Sequence, residues 1–477
     1  MLFNSIEFAI FLPIVFLLYW FVFNRNLKLQ NLFIVVVSYI FYGWWDWRFL
    51  FLIAFTSACS FGAGLLIEKY RDTPCKAKAV NVVNIVLNLL ILGIFKYYDF
   101  FVTSFADAFL GGKTEGLLLK VILPVGISFY TFQALSYSID VYRGKLEPTR
   151  NIVQFFAFVS FFPQLVAGPI ERATNLLPQF GKPRTFVYED GVDGLRQILW
   201  GLFKKMVVAD NCAIYVDQVF STYQTHSGST LLLAAVFFAF QIYGDFSGYS
   251  DIAIGTSKLF GIKLMRNFNV PYFSRDIAEF WRRWHISLTT WFRDYVYIPL
   301  GGSRCSKVKI VRNTFVIFLL SGFWHGANWT FIAWGAFHAI LFLPLILMGK
   351  NRKYRDTVAE GRLIPSVKEV CQMLLTFFLV TVGWIIFRAE TIGQAWVYLS
   401  RICDSSLFSM PFLYVGTKKA ALFALLMLVV EWFFKDKRFV WDFNGIPKWI
   451  PVVASYALIL VILEFAAHSQ SFIYFQF

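Results

Sequence analysis

The sequence predicts an all-α polytopic membrane protein, on three observations. Of 477 residues, 58% are hydrophobic and only 15% are charged, where a soluble domain carries about 25% charge. Uncharged apolar runs recur from one end of the chain to the other. No soluble domain separates them, and the longest charged stretch is a loop from Lys350 to Glu369.

The runs are 8–24, 29–45, 49–67, 79–95, 121–139, 151–170, 218–244, 313–349 and 370–387. A spanning helix needs about 20 mainly apolar residues. Shorter runs at 197–203, 420–430 and 449–463 reach that length if flanking charges snorkel to the interface. The total is about 10–12 membrane segments, some of them re-entrant. Met1–Glu7 has no Lys or Arg, and no small-residue cleavage site follows the first run. That run is therefore expected to stay as a spanning helix.

Charge gives an orientation. Arg25, Lys28, Lys69, Arg71, Lys76, Lys78, Arg143, Lys145 and Arg150 fall in alternate loops, whereas the loops between hold only Arg48, Lys96 and Lys113. The first set is expected inside and the N-terminus outside. The net charge of +15 then reflects basic loops facing anionic headgroups. Nucleic-acid binding would need a soluble basic module, and the sequence offers none. The six cysteines lack CxxC or CxxH spacing, which argues against a disulfide framework or a metal site.

The chain reads as one integral domain over 1–477, with peripheral helices over 1–120 and 390–477. From about 120 to 340, Gly, Pro and polar clusters interrupt the apolar runs: Pro124-Val-Gly126, Pro163-Gln164, Gly168-Pro169, Gly244-Asp245-Phe-Ser-Gly248 and Pro299-Leu-Gly-Gly302. Broken backbone at membrane depth is tolerated only where it is buried or lines a wet cavity. The functional centre is expected there.

His325 is the sharpest feature of that region. It lies in Ser321-Gly-Phe-Trp-His-Gly-Ala-Asn-Trp329, inside a run with no Asp, Glu, Lys or Arg. An ionisable group in such a run marks a functional site or a neutral core histidine satisfied by a carbonyl. Gly322 and Gly326 would let other groups approach its backbone. Trp324 and Asn328 are candidate substrate contacts, Asn328 also as a hydrogen-bond partner. His285 lies in Glu279-Phe-Trp-Arg-Arg-Trp-His-Ile-Ser-Leu-Thr-Thr290. Arg282, His285 and Thr289 share one face of a continuous helix. Arg282 and Arg283 suit an anionic ligand, or a plain interfacial belt of Trp and Arg. Asp245 and Asp251 would pair with those arginines or orient a histidine, unless Asp245 caps a helix after a glycine break. His338 reads as packing, His226 as a solvated loop residue, and His468 has no partner motif. No nucleophile elbow, P-loop or dinucleotide fingerprint appears.

Longer segments carry a resemblance. These are Met1-Leu-Phe-Asn-Ser, Pro124-Val-Gly-Ile-Ser-Phe-Tyr-Thr-Phe-Gln133, Phe162-Pro-Gln-Leu-Val-Ala-Gly-Pro-Ile170, Gln241 to Gly255, Phe280-Trp-Arg-Arg-Trp-His-Ile-Ser-Leu288, Tyr297-Ile-Pro-Leu-Gly-Gly302, Gly322-Phe-Trp-His-Gly326 and Gly383-Trp-Ile-Ile-Phe-Arg388. In this order they resemble the membrane-bound O-acyltransferase superfamily, in its bacterial alginate O-acetyltransferase membrane-subunit branch. The resemblance implies a ring of helices around a thinned centre with a central tunnel. It also implies a catalytic histidine in Trp-His-Gly, which falls on His325, and a second position, which falls on His285.

The expected function follows. An acyl group, acetyl by this resemblance, would pass from a cytoplasmic thioester, acetyl-CoA, to a hydroxyl of an exported cell-surface polysaccharide. Transfer would be direct or through an extracytoplasmic acetyltransferase or other polysaccharide-machinery partner, from the bacterial inner membrane, with the donor as substrate and no bound cofactor or metal. His325 would be the general base, His285 would bind or polarise the donor, and the arginines would meet phosphate or oxyanion. Two alternatives stay open: a D-alanyl transfer subunit for teichoic acid using a carrier-protein thioester, and a polysaccharide or ion transporter. Transporters often carry paired broken helices in inverted repeats. Here the breaks cluster in one region.

Overall fold

A computed structural model describes residues 1–473 except Glu115, Ala167, Asn444, Lys448, His468, Ser469 and Ser471. Among these residues every regular element is helical. His468 lies outside the described residues, as does Ala167 within the Phe162–Ile170 motif. The chain packs as two compact units. One comprises Met1–Gly194 with Ala253–Met265, the other Leu195–Ile252 with Arg266–Phe477.

The first unit holds α1 (Ile6–Leu17), α2 (Leu27–Gly43), α3 (Phe49–Lys69), α4 (Pro74–Leu92), α5 (Tyr98–Phe109), α6 (Ile127–Tyr142), α7 (Ile152–Ser160), α8 (Phe162–Leu165) and α9 (Ala173–Phe180). Capping side chains set the starts: Ser5 accepts from the Phe8 N–H, and Asn26 from the N–H groups of Lys28 and Leu29. Small polar residues tie α3, α4 and α6 together. Asn84 Nδ2 donates to Ser138 Oγ at 2.9 Å, and Ser60 Oγ donates to Asn84 Oδ1 at 3.3 Å. Apolar contact drives little association in lipid, so such bonds serve as interhelical glue. Gly126 begins α6 at φ 74, and a Cβ there would lie 2.6 Å from the Leu165 carbonyl. The Pro-Val-Gly cluster is thus a close crossing as well as a break.

α10 (Tyr188–Leu202) contributes to both units, and α11 (Asp210–Ser221) lies in the second. α12 (Gly228–Leu259) is 32 residues long, and 83% of its most apolar window is buried. It is an interior helix, not a lipid-facing one. The second unit continues with α13 (Ile277–Arg283), α14 (Ile286–Phe292), α15 (Lys307–His325), α16 (Trp329–Leu347), α17 (Val367–Arg388), α18 (Ile392–Ile402), α19 (Thr417–Phe433) and α20 (Trp449–Phe465). Ser366 and Glu369 form a reciprocal capping box at the start of α17.

Among the described residues, five helices are long and apolar enough to cross a membrane: Phe49–Lys69, Pro74–Phe109, Gly228–Leu259, Trp329–Leu347 and Val367–Arg388. Three shorter apolar helices, Ile6–Val22, Leu27–Gly43 and Trp449–Phe465, accompany them. Their outer faces are bare apolar surface, with Ile6 78% and Leu463 77% exposed. In water such a surface would be an aggregation liability, whereas against lipid it is required. The protein is a multi-pass membrane protein.

Three expectations fail locally. Gly244 to Gly248 does not break a helix, because α12 runs through it unbroken. The glycines instead admit a neighbouring segment: a Cβ at Gly244 would lie 2.9 Å from the Lys204 carbonyl, and one at Gly248 2.7 Å from the Gly201 carbonyl. Asp245 is therefore no helix cap. Lys204 and Lys205, which flank the run 197–203, do not snorkel outward. They are 2% and 1% exposed and turn inward to carboxylates. Finally, the apolar runs 151–170 and 313–349 each split into two helices, the second at Gly326–Asn328.

Candidate active site

α13 and α14 do not form one helix, so the single face expected for Arg282, His285 and Thr289 does not exist. Asp276 caps α13, accepting from the Glu279 N–H at 2.7 Å. The chain then turns extended at Trp284 (φ −103, ψ 130) and left-handed at His285 (φ 42, ψ 55). A left-handed residue other than glycine costs about 1–2 kcal/mol, so the surroundings must impose it. Asn267 does so. Its carbonyl accepts from the Ile286 N–H at 2.9 Å. Its Oδ1 lies 3.0 Å from His285 Nδ1 and accepts from Ser287 Oγ at 2.9 Å and from the Ser287 N–H at 3.3 Å. The break does not scatter the three side chains: Arg282, His285 and Thr289 still line one cavity.

His325 ends α15, and Gly326 is extended. The two neighbouring glycines do let another group approach the backbone, and that group is the following helix. A Cβ at Gly322 would lie 2.1 Å from the Phe331 carbonyl, and one at Gly326 2.2 Å from the Phe331 ring. Glycine at both places lets α16 lie directly on α15. The His325 ring is 5% exposed and meets Trp324, Trp334 and Phe387 edge to face at 5.1, 5.2 and 5.3 Å.

The two histidines converge on a cavity of about 470 Å³, within the usual range for a small-molecule site of about 300–1,000 Å³. Trp284, Phe292, Phe318 and Phe342 supply apolar wall, and Ser321 and Thr314 polar points. Arg282, Arg293 and Arg352 also line it and are exposed, so they mark its solvent end. Sequence reading singled out neither Arg293 nor Arg352, and quoted Tyr297 only as the first residue of a motif. The signal available was Phe292-Arg-Asp-Tyr-Val-Tyr297, a charged insertion between two of the quoted motifs that forms a π-helical turn, Arg293–Tyr297. π-turns often occur at functional sites.

The remaining candidates lie elsewhere. Arg283 does not reach the cavity. It is buried and bonds Glu279 at 2.8 Å, while Arg275 bonds the other Glu279 oxygen at 3.0 Å. Both arginines also reach Asp356, so they strap the loop after α16. Arg282 contributes to the strap through the carbonyls of Asn351 and Tyr354. Asp245 and Asp251 pair with lysines instead of with Arg282 or Arg283. Lys205 holds Asp245 and Asp210 at 2.8 Å each, and Lys204 holds Asp251 at 2.6 Å. The reason is the glycine crossing, which brings the lysine-bearing segment against α12. Asn328 caps α16 through the Thr330 N–H and donates to the Glu390 carbonyl, so it does not partner His325. Trp324 is 3% exposed, with its ring 5.8 Å from His285 and 5.1 Å from His325. It backs the cavity instead of lining it. His338 is fully buried against Trp281 and Trp334 at 4.9 and 5.0 Å. His226 is half-buried, its ring 3.1 Å from the Thr222 hydroxyl.

These features define a polytopic, all-helical membrane protein with a buried cavity that joins two histidines to exposed arginines. The sequence pattern of the membrane-bound O-acyltransferase family matches residues 148–382, a range that contains the whole cavity. The chain is 41% identical over 398 residues to "Probable alginate O-acetylase AlgI" of Pseudomonas aeruginosa, covering 83% of this chain and 74% of that one. It is 38% identical to the protein of the same name from Pseudomonas putida, over the full length of both. To the "Peptidoglycan O-acetyltransferase" of Helicobacter pylori it is 31% identical, over 100% of this chain and 98% of that one. The chain belongs to the membrane-bound O-acyltransferase family, in its alginate O-acetylase-like branch. It is an O-acyltransferase.

Proposed function

We propose that the protein moves an acetyl group from acetyl-CoA at the cytoplasmic face to a hydroxyl of an exported cell-surface polysaccharide, directly or through an extracytoplasmic partner. The observation that carries this reading is the shared cavity. His285, at the turn between α13 and α14, and His325, at the end of α15, stand forty positions apart, yet both line it. The relatives' names, an alginate O-acetylase and a peptidoglycan O-acetyltransferase, support an acetyl group and a polymeric acceptor.

In this reading the thioester arm enters past Arg282, Arg293 and Arg352, whose charge suits the phosphates of its carrier. His325 takes the proton of the acceptor hydroxyl as its oxygen bonds to the thioester carbonyl carbon. The resulting tetrahedral oxyanion collapses, the carbon–sulfur bond breaks, and the thiolate leaves and recovers the proton from His325. The buried, aromatic walls keep water from competing for the thioester. His285 binds the donor or polarises its carbonyl. The test is transfer of labelled acetyl from acetyl-CoA to polymer by purified protein in liposomes. Label passing only from a carrier-protein thioester, and never from acetyl-CoA, would replace the acetyl reading with the D-alanyl one.

Orientation has its own test. Alternation of the basic loops supports Arg25–Lys28 and Lys69–Lys78 inside and the N-terminus outside. A cysteine introduced by Asp72→Cys in a Cys75→Ser background should react with an impermeant reagent only after cells are permeabilised. Labelling in intact cells would reverse the topology.

A further inference from the structure

The bonds around Asn267 decide more than backbone shape. The side-chain oxygen and nitrogen of an asparagine are distinguished by their partners. Here the Ser287 backbone N–H, which can only donate, points at the group labelled Oδ1 from 3.3 Å. An amide NH₂ in that place would set donor against donor, so the oxygen is correctly placed. That oxygen can only accept. His285 Nδ1 lies 3.0 Å from it, a distance two lone pairs would not share, so Nδ1 carries a proton. In the neutral imidazole the proton on one nitrogen leaves a lone pair on the other. His285 Nε2 is buried and has no hydrogen-bond partner among the described residues. Asn267 itself is fully buried, so water does not compete for the arrangement.

We propose that Asn267 is a positioning residue that holds His285, a residue lining the cavity, as its Nδ1–H tautomer and so leaves Nε2 as a hydrogen-bond acceptor. This rests on the acyl-transfer reading and sharpens it. An accepting nitrogen cannot donate to a thioester carbonyl, so His285 does not polarise that carbonyl. With His325 taking the proton of the reacting hydroxyl, His285 Nε2 is free to accept from an N–H of the donor. The amide N–H groups of a pantetheine arm, common to coenzyme A and to acyl carrier proteins, have that chemistry. The same clamp holds His285 in its left-handed conformation, so ring orientation and tautomer are set by one residue.

The test has two arms. In histidine-¹⁵N-labelled protein in nanodiscs, the His285 ring is identified by its loss in His285→Gln. The expected spectrum shows a protonated Nδ1 and a bare Nε2. A proton on Nε2 overturns the proposal. This arm needs no turnover, so it stands even if acetyl-CoA proves not to be the donor. In the second arm, Asn267→Ala should lower acetyl transfer about 10–100-fold, the scale known for residues that orient metal-ligating histidines from the outer shell. Asn267→Asp, which keeps an accepting oxygen toward both Nδ1–H and the Ser287 N–H, should recover most of the loss. Wild-type turnover by Asn267→Ala at normal membrane levels overturns the proposal. So does equal loss in the Ala and Asp variants when both insert normally.

Discussion

His325→Ala should lose about 10²–10⁴-fold in acetyl transfer, the usual worth of general acid–base catalysis, while still inserting in the membrane. The ring sits at the end of α15, 5% exposed, and lines the cavity. His325→Asn should be nearly as poor, because an amide nitrogen cannot take up the proton. His338→Ala is the control from the same uncharged run. It lies against Trp281 and Trp334 outside the cavity lining, and it should keep most activity per folded molecule. The measurement is turnover per inserted protein in reconstituted membranes. A His325→Ala protein that fails to fold, with no separate loss of turnover, would make the ring a core residue.

The second large effect separates two adjacent arginines. Arg283→Ala should destabilise by about 3–5 kcal/mol, the cost of breaking a buried ion pair. The lower end is expected, because Arg275 still bonds Glu279. Arg282→Ala leaves that pair intact and removes a charge from the solvent end of the cavity. It should raise the KM for acetyl-CoA and cost less thermal stability than Arg283→Ala, since it loses only the exposed bonds to the Asn351 and Tyr354 carbonyls. Unfolding midpoints and initial rates of both variants check this. Equal behaviour of the two would mean the strap and the cavity mouth are not distinct.

How much of this was legible depended on range. The apolar runs were enough for the helical membrane class, because span length is a local property. His325 was legible as an ionisable group in an uncharged run, and His285 as a histidine beside an arginine pair. Their convergence was not, since it follows from how α15 and α16 pack and from a chain reversal at Trp284–His285. That reversal has no glycine or proline to announce it. Asn267 imposes it from eighteen positions away. Two glycines misled: Gly244 and Gly248 look like breaks, yet each is a close crossing with a neighbouring segment. Asp245 and Asp251 were read against the arginines of their motif neighbours. Their actual partners, Lys204 and Lys205, stand at the edge of a short run, and only packing against α12 brings them within reach.

Acyl transfer is proposed to occur in the cavity shared by His285 and His325. A structure with a non-hydrolysable acetyl-CoA analogue tests it most directly. The acetyl end should lie inside this cavity, beside His325, with the pantetheine arm running past His285 toward Arg282 and Arg352. An analogue bound with its acetyl end elsewhere in the protein, and this cavity empty, would contradict it.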